Sequence, residues 1–120
     1  LRNVDSETLF KQARLEMKAA AAYFEAAKSA QRYVDDLRVE REQVYNRTYR
    51  ETVSLGIPEH IAFTIAQEAA DRISKKVSEA VQEGLYATEM TNYHRACGEA
   101  LLNQCEKARI KEYRRFAKGK

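Results

Sequence analysis

Tryptophan is absent from this chain of 120 residues, proline occurs once, glycine four times, and cysteine and histidine twice each. These shortages remove whole classes of chemistry. Neither His60 nor His94 has a glutamate three residues before it, so the Glu-x-x-His pairs that build di-iron sites in helical bundles are missing. The glycines at 56, 84, 98 and 119 are too scattered to form a phosphate-cradling loop. No serine, threonine or cysteine stands beside a recognisable base and orienting acid. Cys97 and Cys105 lie two turns apart, about 12 Å along a helix, which is too far for a disulfide or a shared metal in one straight helix. Both read as small core residues, with His94 as a partly wet neighbour. The expectation is a chain that is not an enzyme and carries no cofactor or metal.

Long apolar runs are lacking too. Crossing a bilayer takes roughly 18 consecutive apolar residues, and the nearest candidate is the alanine run Ala19 to Ala22. No transmembrane segment is expected. The chain opens Leu1-Arg2-Asn3 without a methionine, which reads as a processed or truncated start from which any targeting segment has gone. Two cysteines without a secretory segment point to a reducing compartment, cytosol or organelle matrix.

What the chain has in quantity is helix-forming residues. Charged residues make up 32%, and Ala, Glu, Lys, Arg and Gln dominate, the composition of long or coiled helices. Between Leu1 and Leu55 there is neither glycine nor proline. Asp5 can cap the first free N–H groups, with Val4 and Leu9 placed for a hydrophobic staple, so a helix should begin near Ser6. Apolar residues then recur at helical spacing through Phe10, Ala13, Met17, Ala20, Phe24 and Ala27, and shift to Ala30, Val34, Leu37, Val44 and Thr48. That drift argues for packing against several neighbours over a strict heptad coiled coil.

The strong stop is Ser54-Leu55-Gly56-Ile57-Pro58-Glu59, where Gly56 suits a left-handed helix end and Pro58 suits the first position of the next helix. The pattern resumes in Ile61, Ile65, Ala69, Ile73, Val77, Ala80 and Val81, and again in Tyr86, Met90, Tyr93, Cys97, Leu101, Cys105 and Ala108. The fold expected is therefore all-α, a single domain over 1–120 made of a long antiparallel helical hairpin. Its arms should span about 6–54 and 58–117, with the turn at 55–58. Gly84 marks a candidate kink or break in the second arm. If it breaks there and Asp35-Asp36 loosens the first arm, the alternative is a compact three- to four-helix bundle.

Two stretches stand out as candidate partner sites. Ala19, Ala20, Tyr23, Phe24 and Ala27 form a small-residue surface on which another helix could pack closely. At the other end, Lys107, Arg109, Lys111, Arg114, Arg115, Lys118 and Lys120 face one acid, Glu112, a local charge of +6 on a body of −3. Interleaved with Tyr113 and Phe116, that segment could contact phosphates and stack on bases; the plain reading is a solvated helix end, where cations are favoured anyway. The leading expectation is a non-catalytic structural or adaptor subunit that packs with other protein subunits or with itself. A small helical nucleic-acid-binding accessory protein is the alternative.

Overall fold

The computed structural model describes residues 4–119; Leu1, Arg2, Asn3 and Lys120, with the reading of Leu1 as a processed end, lie outside the described residues. Helix accounts for 94% of the structure. Helix α1 spans Ser6–Ser54 and helix α2 spans Glu59–Lys118, packed as an antiparallel hairpin with no strand among the described residues. Asp5 caps α1 as its sequence position requires, its Oδ1 accepting the Thr8 N–H at 2.8 Å. That backbone bond, helped by the Thr8 side chain and the charge of Lys11, holds the Asp5 carboxyl below its ordinary value.

The turn follows from Gly56, whose φ of +84° is disfavoured for residues with a Cβ. Its N–H returns to the Val53 carbonyl at 2.9 Å and closes α1. Pro58 lies one position earlier than expected. Its carbonyl accepts the Ala62 N–H at 2.9 Å, which makes it the residue that caps α2, and Glu59 the first helical one. Beyond the turn neither helix breaks. α1 continues through Asp35-Asp36 and α2 through Gly84, so the three- to four-helix alternative does not form. Gly84 is a close-approach residue: a Cβ there would stand 3.4 Å from the Cβ of Ala30.

The hairpin divides into two compact units. One contains Ala26–Tyr86 and the turn. Its core is Val34, Leu37, Ile73 and Ala80, with Val44, Val77 and Val81 packed against them. Towards the turn the buried residues are Thr52, Ala62, Ala66 and Ala70. The Thr52 hydroxyl donates to the Thr48 carbonyl of its own helix at 2.6 Å, which satisfies it inside the seam.

The other unit joins α1 as far as Glu25 to α2 from Ala87 onward. Leu9, Ala13, Ala20, Ala87, Thr91, Gly98 and Cys105 are buried there. Polar ties run across it. Ser6 donates through its N–H to Glu112 Oε1 at 3.0 Å and through its hydroxyl to Glu112 Oε2 at 2.7 Å, while the Cys105 thiol donates to the Ser6 carbonyl at 3.3 Å. His94 Nδ1 is hydrogen-bonded to Glu16 Oε2, and its ring stacks on Tyr23 with centroids 5.5 Å apart.

Within each unit the residues turned inward keep a step of three and four. In the first unit they are Ala27, Ala30, Val34, Leu37, Val44, Thr48 and Thr52 on α1, with a gap at the exposed Arg41, against Ala62, Ala66, Ala70, Ile73, Val77, Ala80 and Gly84 on α2. In the second they are Leu9, Ala13, Glu16, Ala20 and Tyr23, against Ala87, Thr91, His94, Gly98, Leu101, Cys105 and Ala108. The alternation of threes and fours is that of a heptad over 9–37 on α1 and 70–108 on α2, while towards the turn the inward positions follow at successive fours, Val44, Thr48 and Thr52 against Ala62, Ala66 and Ala70. On α2 the expected stripe holds at Ile73, Val77, Ala80, Leu101, Cys105 and Ala108 and is off by one residue at other steps. Ala62 and Ala66 are buried in place of Ile61 and Ile65, Ala87 in place of Tyr86, Thr91 in place of Met90, and Gly98 in place of Cys97. α1 shows the same offset, with Leu9 buried and Phe10 outside. Small side chains let two helices approach closely, and a bulky ring in such a seam would force them apart.

Candidate functional site

A seam rich in alanine leaves many of the large apolar side chains outside it. Among the described residues, Leu15, Tyr33 and Val39 on α1 and Phe63, Leu85, Tyr86 and Tyr93 on α2 are each more than half exposed. Phe10, Phe24, Ile61, Ile65, Leu102 and Ile110 are between 38% and 48% exposed. These residues are the raw material for any contact with a partner.

The structure separates the alanine-rich candidates. Ala20 is buried in the seam and Ala27 is half-buried in it, while Tyr23 is half-buried against His94. Ala19 is half-buried on the flank, and only Phe24 is classed as exposed, at 48%. Most of this stretch therefore packs within the hairpin. One turn earlier, however, the same helix carries a groove. Phe10, Ala13, Arg14, Met17, Lys18 and Ala21 of α1, with Leu102 of α2, surround about 380 Å³. Met17 fills the space above Gly98, where an added Cβ would fall 2.9 Å from its Cε.

Of the basic segment, Lys107, Lys111, Arg114, Arg115 and Lys118 fall on one exposed face of α2, at steps of three and four, while Arg109 does not. Lys107, Lys111 and Arg115 follow at steps of four and line a cavity of about 350 Å³ with Asp5, Leu9 and Glu112. Two carboxylates share that cavity, and the Ser6 N–H and hydroxyl bonds, with the nearby Arg115 charge, hold Glu112 below its ordinary value. Arg109 lies on another side of α2, its guanidinium 5.5 Å from the centre of the Phe10 ring. Tyr113 is 72% exposed, and Arg114 and Lys118 are exposed as well; Lys120 is outside the described residues.

Sequence reasoning missed the group around His94. Its members, Glu16, Tyr23, Tyr93 and Cys97, come from both helices, and only the pairing of positions near 16 and 94 in an antiparallel hairpin could have brought them together. Tyr93 meets His94 edge-on at 5.2 Å. A hydrogen bond with Cys97 and then the charges of Cys97 and Glu16 raise the Tyr93 hydroxyl above its ordinary value. Cys105 is tied to Ser6, so it does not join His94 and Cys97, and no group of three or more His, Cys, Asp or Glu able to hold a metal is found among the described residues. No helix among them is long and apolar enough to cross a membrane. No family model, curated protein or solved structure matches the chain.

Proposed function

We propose that this chain is a non-catalytic structural or adaptor subunit, whose helical hairpin packs into a larger protein assembly or a homo-oligomer. The observation that carries the reading is the distribution of size between inside and outside. Among the described residues, seven of the twelve buried hydrophobic ones are alanine, while phenylalanines, tyrosines, leucines and isoleucines stand exposed. Burying a large aliphatic or aromatic side chain contributes about 1.5–3 kcal/mol, several times what an alanine methyl supplies. A chain that spends small residues on its own seam keeps its stronger contacts for other molecules. The cysteine usage favours a reducing compartment, cytosol or organelle matrix.

The test replaces outer residues that the seam does not use. Leu15→Ser, Val39→Ser and Leu85→Ser together should reduce the size of the native assembly, measured by sedimentation, while circular dichroism shows the helix content unchanged. An assembly of unaltered size would contradict the reading.

The alternative is a small nucleic-acid-binding accessory protein, and the exposure of Tyr113 and Phe116 among six basic side chains is what favours it. Neutralising Arg114, Arg115 and Lys118 should then abolish retention on DNA or RNA at low salt. No retention of the unaltered chain at low salt removes it.

A further inference from the structure

We infer that the groove between Phe10 and Ala21 is a docking site for an amphipathic helical segment of another protein, with large apolar anchors and acidic residues at its flanks. The inference rests on the reading of the chain as a subunit and names the chemistry of one partner.

Shape is the first reason. The six α1 residues lining the groove share one face of the helix, and they span the twelve positions from Phe10 to Ala21, about 16 Å or three turns. That is the footprint of a helix lying alongside, the mode in which apolar anchors at every third and fourth residue enter a hydrophobic channel. Ala13 and Ala21 keep the lining small, so a guest backbone can come close, while Phe10 and Leu102, each 38% exposed, add larger apolar surface from the two helices. Charge is the second reason, and it selects the guest. Arg14 and Lys18 are the charged residues among the seven that line the groove, and Arg109 sits over the Phe10 ring beside it. Two cations and no acid among the residues lining an apolar groove attract carboxylates on the guest and repel a basic helix. The cavity at Lys107, Lys111 and Arg115 lacks this property, because Asp5 and Glu112 sit among its cations.

The probe is a fluorescein-labelled peptide of about 18 residues, long enough to cover three turns, with leucines at helical spacing and glutamates on both sides. A twin carries lysine in place of every glutamate. Fluorescence anisotropy with the full chain should show the glutamate peptide binding and the lysine twin at least tenfold weaker. Leu102→Asp, at a surface position outside the buried core, should weaken the glutamate peptide at least tenfold with the melting temperature preserved. Arg14→Glu with Lys18→Glu should invert the preference between the twins. Equal binding of the twins, binding of neither, or indifference to Leu102→Asp would overturn the proposal. So would loss of self-association in Leu102→Asp, which would make the occupant a second copy of this chain. Failure here with a large native assembly still present would remove the groove alone. A chain that is monomeric in its native setting would remove the subunit reading itself.

Discussion

A methyl group added at Gly56 would meet no other atom within 4 Å, yet the backbone there has a φ of +84°. Gly56→Ala should therefore cost about 1 kcal/mol through conformation alone, read as a lower midpoint in urea; an unchanged midpoint would show that the turn takes another shape in solution. Two carboxylates make a second prediction. Asp5 and Glu112 are both held below their ordinary values by hydrogen bonds to α1's first turn. A carboxylate lowered on folding stabilises fully above its unfolded value, about 4 for these types, and that contribution is lost as pH falls through the folded value. Melting temperature should thus fall on acidification below about pH 4, and Glu112→Gln should lower it at neutral pH and flatten the acid decline. An identical profile for both proteins would refute the role of the Ser6 to Glu112 bonds. Asp5 was legible in the sequence because a cap is a local device spanning three residues. Glu112 was not, because its partner lies 106 positions away.

At the scale of the helices, the ends and the hairpin were legible because breakers are few and only residues 54 to 58 combine a glycine with a proline. Which face turns inward was less so. Hydrophobic periodicity weights a position by the size of its side chain, and here the large residues sit beside the seam. Ile65 and Tyr86 draw the eye one position away from Ala66 and Ala87, and the polar seam pair of Glu16 with His94 interrupts the apolar count. The seam predicts an asymmetry between substitutions. Ala66→Leu, at a residue with no exposed surface, should destabilise by about 1–3 kcal/mol through overpacking. The same change at the exposed Ala21 should be worth less than about 0.5 kcal/mol. Leu37→Ala, one of the few large side chains in the core, should cost about 2–5 kcal/mol. Thermal melts of the three variants decide it, and equal effects of leucine at 66 and 21 would contradict the seam. Gly84 reads differently once its neighbour Ala30 is known: the position is narrow without being a break.

For the whole molecule, the candidate partner surfaces were only half legible. The alanine stretch was visible in the sequence, but Ala20 and Tyr23 serve the hairpin itself, and the groove beside it needs Leu102 from the other helix. The basic segment was visible as composition, while its division between the cavity with Asp5 and the contact with Phe10 depends on which turn of α1 each side chain meets. What unites these findings is that the larger apolar side chains lie where another molecule can reach them. The most direct test is the mass of the native particle that holds the unaltered chain, measured by sedimentation of a gently prepared extract of the cells that make it. The subunit reading predicts a particle well above the mass of the single polypeptide, containing further copies or other proteins. A free monomer at its natural concentration would contradict it.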